Sequence, residues 1–136
     1  MFKLFFATPD KKVVADAELE EITLPAFAGE LNILPGHAPI MTTLEAGILS
    51  YKLKNGQSDR LAISWGYCQV SAEGVSVLAE TAKHASEIDV ALTQQQLKNA
   101  ENKILNEMLD DSGWEIARRE IARHQAEIGL AQQKKL

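Results

Sequence analysis

Residue types that act as nucleophiles, proton carriers or metal ligands are few and widely spaced in this chain. The three histidines, His37, His84 and His124, match no metal-binding spacing such as H-x-x-x-H. Nothing in the sequence nominates a general base for the single cysteine, Cys68, so we expect a buried structural thiol. The chain also lacks a G-x-S-x-G elbow and a glycine-rich phosphate loop. The sequence therefore predicts no catalytic centre, no metal site and no cofactor.

A segment bracketed by Pro35 and Pro39 is the first candidate for a binding role. Pro35-Gly36 favours a turn, because proline fixes φ and glycine permits a left-handed residue. The two prolines would stiffen a surface loop that carries the imidazole of His37. An ordinary connection between strands explains the same residues, and the pattern alone leaves both interpretations open.

The charge of the last segment is the second candidate feature. Residues 114–136 carry a net charge of +2, whereas residues 1–113 carry −7. Arg118, Arg119 and Arg123 could dock this basic segment on the acidic body or on an acidic partner. The alternative is a solvated helix, because two glutamate–arginine pairs spaced i, i+4 would support it without any partner.

Length and composition limit the classes of protein that fit. The chain has 136 residues, of which 46% are hydrophobic and 24% charged, as in soluble globular domains. Its net charge of −5 disfavours general nucleic-acid binding, which needs a basic surface. No apolar run approaches the roughly 20 residues that cross a bilayer. The N-terminus resembles neither a signal nor a transit peptide, so we expect synthesis without a leader.

The chain changes character near residue 86, and this predicts two domains. All four prolines and six of the eight glycines precede residue 87, and period-two alternation is typical of strands there. One strand hairpin is predicted around Asn55-Gly56 and another around residues 72–74. We therefore predict a β-sandwich of many short strands over residues 1–86 and an antiparallel helical hairpin over residues 87–136.

The tail is expected to form two helices of about 20 residues each, joined by about four. Ser86 or Asp89 is the predicted N-cap of the first helix, and Ser112 that of the second. Helical periodicity predicts two buried stripes, which are Val90, Thr93, Leu97, Ala100, Ile104 and Met108, then Trp114, Ala117, Ile121, Gln125 and Ile128. Large apolar residues are few, so the hairpin should be only marginally stable alone.

Several stretches carry a family resemblance. The run GELNILPGHAP at residues 29–39 is followed by GIL at 47–49, WGYCQV at 65–70 and VSVLAETA at 75–82. In this order they resemble the epsilon subunit of bacterial and chloroplast F-type ATP synthases, over essentially the whole chain. The resemblance implies a ten-stranded β-sandwich with a helical hairpin, in a non-catalytic subunit of the central stalk that rotates within the complex.

The resemblance also implies partners. The sandwich would bind the gamma subunit and the ring of c subunits, coupling proton flow to ATP synthesis, with Glu30 and His37 facing the ring. The hairpin would open and inhibit ATP hydrolysis, and Arg118, Arg119 and Arg123 would then contact the beta subunit, with the alpha subunit nearby. The protein would lie peripherally on the cytoplasmic face of a bacterial inner membrane, without inserting into it and without binding nucleic acid.

A nucleotide-sensing hairpin is the main alternative. Some family members bind ATP through an Ile/Leu-Asp-x-x-Arg-Ala motif, which Ile88 and Asp89 begin here. Leu92 replaces its arginine and Thr93 its alanine, and the lost guanidinium is the group best suited to a charge-assisted contact. We therefore expect weak or absent ATP binding. A second alternative keeps the coupling role with a permanently folded hairpin.

Overall fold

The fold is a β-sandwich followed by two helices, as predicted. The computed structural model describes residues 2–133, which form nine β-strands, a 3-10 turn and two α-helices. The strands are β1 (Lys3–Ala7), β2 (Lys12–Ala26), β3 (Gly29–Ile33), β4 (Ile40–Leu44), β5 (Gly47–Leu53), β6 (Ser58–Ile63), β7 (Gly66–Ser71), β8 (Gly74–Ala79) and β9 (Ala82–Lys83). The 3-10 turn (Ala85–Glu87) leads into α1 (Val90–Asn106) and α2 (Asp111–Gln133). The described residues thus hold nine strands where the resemblance implied ten.

The long strand β2 belongs to both layers of the sandwich. Its first half pairs with β1, which continues through β8 and β7 to β4. Its second half pairs with β3 on one side and with β5 on the other, and the layer continues through β6 to β9. The pairings are antiparallel except that between β1 and β8, which is parallel.

The core between the layers consists of alternating apolar side chains from every strand. It lies wholly between Leu4 and Ala82 and includes the fully buried Phe6, Leu24, Leu49 and Leu61. Burying one such side chain stabilises the fold by about 1.5–3 kcal/mol. Because no helix residue belongs to this cluster, the sandwich has a core of its own.

Both predicted strand hairpins are confirmed. Residues 54–57 connect β5 to β6, and Lys52 pairs with Ser58 directly beside the loop. Residues 72 and 73 connect β7 to β8, with Ser71 paired to Gly74.

The helices agree with the predicted lengths but differ in their details. Asp89, one of the two predicted caps, accepts a hydrogen bond from the Leu92 amide at 3.1 Å. The predicted cap Ser112 is wrong, because α2 already begins at Asp111 and the carboxylate of Asp110 accepts the Gly113 amide at 2.7 Å. An aspartate directly before the helix can satisfy these first-turn amides as well as serine can.

The predicted buried stripes are correct only in part. Thr93, Ala100 and Ala117 are buried. Met108 is fully exposed, since α1 has already ended, and Trp114 and Gln125 are also exposed. The face that α2 buries instead includes two polar residues, and its members are Ala117, His124, Glu127, Leu130 and Ala131.

Candidate functional site

The proline-bracketed loop forms the predicted turn. The amide of His37 donates to the Leu34 carbonyl at 3.1 Å, and Gly36 at the third turn position has a φ of +90°. Such a turn needs glycine there, because a side chain is strained at that φ. The His37 imidazole is half-buried, with Nδ1 2.8 Å from the Ala38 carbonyl oxygen. Glu30 lies on β3 with its side chain exposed.

An exposed apolar patch covers the outer face of β4 and β7; it consists of Phe27, Met41 and Tyr67. Thr43 pairs with Tyr67 and accepts the Phe27 amide through its carbonyl, so the two rings lie beside one strand. The exposed fractions are 74% for Phe27, 66% for Met41 and 48% for Tyr67. Contiguous exposed apolar surface of this kind is typical of a docking site.

The two helices are held to the sandwich mainly by α2. This helix packs on β5 and β6 and on the 3-10 turn, whereas α1 packs chiefly on α2. Of the residues that α2 buries, Leu130 is the largest apolar one, and Ala117 and Ala131 add little area. The apolar contribution to this docking is therefore small.

Arg118 and Arg119 lie at the start of α2 with half-exposed side chains. Arg118 Nη2 donates to Glu115 Oε1 at 2.7 Å, and this hydrogen bond lowers the pKa of the Glu115 carboxyl. The Arg119 guanidinium lies 5.4 Å from the centre of the Trp65 ring, a cation–π contact between hairpin and sandwich. Both arginines remain accessible to a partner from solvent.

Arg123, the third predicted arginine, faces the space between the helices. It lines a cavity of about 220 Å³ with Lys103 and His124. Its Nε is buried and has no hydrogen-bond partner within residues 2–133. The structure thus places Arg118 and Arg119 together on the surface and Arg123 apart from them.

A buried ionic cluster joins α2 to β9, and the sequence reading missed it. Glu127 Oε2 lies 3.5 Å from Lys83 Nζ, and Glu127 Oε1 lies 3.3 Å from His124 Nδ1. The side chains of Glu127 and His124 are 3% and 5% exposed. Helical spacing could have indicated the cluster, since both residues fall on the α2 face that meets the sandwich. The predicted stripe follows apolar positions such as Ile121 and Ile128 and includes Gln125 between them, so it misses both residues.

A second cluster lies where sandwich and hairpin meet. His84 Nε2 lies 2.6 Å from Asp59 Oδ2 on β6, and its Nδ1 lies 3.0 Å from Glu87 Oε1. Lys11 joins this cluster, with Nζ 3.6 Å from Glu87 Oε2. The separation of Asp59 and His84 in the sequence hid this contact.

The Glu87 carboxyl should titrate at a lower pH than an ordinary glutamate. The amide of His84 donates to it at 2.9 Å, and this bond together with the His84 ring lowers its pKa. Its contribution to stability is therefore present above about pH 4.3, the ordinary value, and is lost as pH falls through the lowered pKa. We expect a carboxyl ¹³C NMR titration to show the lowered pKa of Glu87, and His84→Ala to raise that pKa part of the way back to the ordinary value.

That contribution should be small, because the Glu87 side chain is 42% exposed. The backbone hydrogen bond survives in His84→Ala, so a complete return to the ordinary value is not expected. An unshifted Glu87 titration in the wild-type chain would contradict the described contacts between His84 and Glu87.

Ile88 and Asp89, the weak nucleotide candidates, do not line the cavity between the helices. Ile88 is half-buried and ends the 3-10 turn, and the Asp89 carboxylate is engaged by the Leu92 amide. Thr93 is buried and donates its hydroxyl to the Asp89 carbonyl at 2.8 Å. Their positions are thus explained by helix capping.

Reactive groups elsewhere are sparse in the described part of the chain. Burial raises the pKa of the Cys68 thiol to about 11, so the thiolate that a nucleophile needs is scarce. Within residues 2–133, no group of three or more histidine, cysteine or acidic residues is placed to hold a metal ion. The helices of this range are also too short or too polar to span a membrane.

Comparison with known sequences gives one consistent result. A family model described as the ATP synthase delta/epsilon chain β-sandwich domain matches residues 1–85. The ATP synthase epsilon chain of Bdellovibrio bacteriovorus is 49% identical over 132 residues, which cover 96% of this chain and 94% of the relative. The epsilon chain of Geobacter sulfurreducens is 40% identical over 114 residues, covering 84% and 81%.

Comparison with solved structures supports the same fold. A chain of the Euglena gracilis mitochondrial ATP synthase structure, which includes the c-ring, has a TM-score of 0.77 at 21% identity, covering 98% of this chain and 80% of that one. A chain of the Tetrahymena thermophila central stalk and c-ring structure has a TM-score of 0.67 at 16% identity, covering 99% and 96%. At these identities the likeness concerns the fold.

Proposed function

Since the chain belongs to the family of ATP synthase epsilon chains, which are non-catalytic subunits of that complex, we propose a division of labour between its two parts. Residues 1–86 couple rotation to ATP synthesis by binding the gamma subunit and the c-ring. Residues 87–136 inhibit ATP hydrolysis when the hairpin leaves the sandwich. The F1 part of the complex is peripheral to the membrane, and we assign this chain to the cytoplasmic face of that membrane in a bacterium.

The coupling surface is supported by two features of the sandwich. The exposed apolar patch of Phe27, Met41 and Tyr67 suits a stable protein contact, and we assign the gamma subunit to it. Glu30 lies near the start of β3, and the stiffened turn around Gly36 holds His37 beyond the other end of that strand. We assign the polar loops of the c-ring to these two positions, because a rigid surface loses little entropy on binding.

The observation that carries the inhibitory role is the small apolar contact between α2 and the sandwich. A helix pair held by one large apolar side chain, one cation–π contact and an ionic cluster can open at low cost. Opening frees the basic start of α2, where Arg118 and Arg119 would meet acidic groups of the beta subunit. Arg123 would be uncovered by the same opening, because one wall of its cavity belongs to α1.

Removal of the hairpin should abolish inhibition while leaving assembly intact. We expect the full chain to lower ATP hydrolysis by a catalytic head lacking this subunit, and residues 1–88 to bind the head without lowering it. The shortened chain retains the whole sandwich core and Glu87. Steady-state ATP hydrolysis during titration, with binding measured in parallel, tests this.

Each alternative has its own outcome in that titration. If both chains bind gamma and neither inhibits, the chain is a coupling element whose hairpin stays folded. If both inhibit equally, the inhibitory contact lies in the sandwich and the division of labour is wrong. If neither binds the head, the assignment to the rotor fails.

A further inference from the structure

The ionic cluster between α2 and β9 links the hairpin to the sandwich through one carboxylate. Glu127 belongs to α2 and Lys83 to β9, with Nζ 3.5 Å from Oε2. His124 lies one turn earlier on α2 and contacts the other oxygen at 3.3 Å. Among residues 2–133, Lys83 is thus the member of this cluster that stays with the sandwich when the hairpin leaves.

The geometry of the cluster compensates the buried charge poorly. Transfer of a carboxylate from water costs several kcal/mol unless close hydrogen bonds satisfy it. A strong charge-assisted N–H···O bond is about 2.7–2.9 Å long, whereas the contact from Lys83 is 3.5 Å. The Lys83 side chain is also 46% exposed, while that of Glu127 is 3% exposed. Glu127 would therefore be better hydrated in an open hairpin.

We propose that Lys83, Glu127 and His124 form an ionic latch, which orients the docked hairpin but keeps its docking weak enough for release. Its regulatory meaning rests on the proposed function, whereas its effect on docking does not. The latch favours one docked position, because only there does Lys83 reach Glu127. The latch also weakens docking in that position, because the contacts of the buried Glu127 carboxylate do not fully replace its lost hydration.

Two variants of the full chain should change the docking of the hairpin in opposite directions. Lys83→Met removes the sandwich partner and leaves Glu127 buried, so α2 amides should exchange hydrogen at least about tenfold faster. Lys83→Met/His124→Leu/Glu127→Leu replaces all three latch residues by apolar side chains and leaves no buried polar group without a partner, so these amides should exchange at least about fivefold more slowly than in the wild type. Hydrogen exchange followed by mass spectrometry on the isolated chain measures both.

Lys52→Met is the matched control. Lys52 also lies on the α2-facing layer and is about equally exposed, but its partner Glu20, at 3.8 Å, belongs to the sandwich. This variant should leave α2 exchange unchanged. Peptides from β7 and β8 serve as the reference for folding, because they should exchange alike in every variant.

Two results would overturn the latch. If Lys83→Met exchanges like the wild type, the contact does not hold the hairpin. If the triple variant opens as readily as Lys83→Met, the cluster strengthens docking outright and does not ease release. Neither result depends on ATP hydrolysis, so the latch can fail while the truncation result stands. Loss of the truncation effect would in turn leave the exchange result intact.

Discussion

Gly66→Ala is expected to destabilise the sandwich by about 2–4 kcal/mol, which exceeds the usual cost of overpacking because backbone cannot move aside easily. Gly66 begins β7 opposite Ala79 on β8, and a Cβ at Gly66 would collide with the carbonyl of Leu78 and approach the Ala79 Cα within 2.8 Å. The lower unfolded-state entropy of alanine offsets only about 0.4–1 kcal/mol of this. Urea unfolding followed by circular dichroism should show a lower midpoint.

Gly129→Ala is the control for this substitution. Gly129 lies inside α2, and a Cβ there meets no atom within 4 Å. Alanine should therefore favour the helix by up to about 1 kcal/mol, and the unfolding midpoint should not fall. Equal midpoints for Gly66→Ala and the wild type would mean that β7 and β8 do not approach each other as closely as described.

The local features of the sandwich could be predicted from sequence because local rules determine them. Alternating residues and the Asn55-Gly56 pair indicated the β5–β6 hairpin, and Pro35-Gly36 indicated the turn between β3 and β4. The parallel pairing of β1 with β8 joins residues some 70 positions apart. No periodicity specifies a pairing between residues so far apart. For the same reason, the sequence does not show that β2 is divided between two layers.

The contacts between sandwich and hairpin were missed for a different reason. The predicted buried stripes are built mainly on apolar residues. In the structure, α2 docks through His124 and Glu127 as well as through Leu130. The His84–Asp59 contact joins two polar residues that lie 25 positions apart in the chain. Polar contacts between two parts of a chain therefore depend on tertiary placement, whereas the scarcity of large apolar residues in the hairpin is visible in the composition.

Reversing the exposed charges of α2 should separate inhibition from release of the hairpin. In Arg118→Glu/Arg119→Glu, we expect inhibition of ATP hydrolysis to weaken at least about tenfold, because charge pairs buried at an interface lose 2–5 kcal/mol when broken. The same change removes the Arg119–Trp65 contact that helps to hold the hairpin docked. Easier opening alone would strengthen inhibition, so the two effects have opposite signs.

Trp65→Leu is the matched variant, because it removes that cation–π contact from the sandwich side and keeps both arginines. We expect it to inhibit ATP hydrolysis at least as strongly as the wild-type chain, with faster exchange of α2 amides. If Trp65→Leu and the arginine variant lose inhibition equally, docking on the sandwich matters more than the charges. If neither loses inhibition, Arg118 and Arg119 belong to a solvated face, stabilised in place by Glu115. A loss confined to the arginine variant would establish that the basic start of α2 contacts the catalytic head.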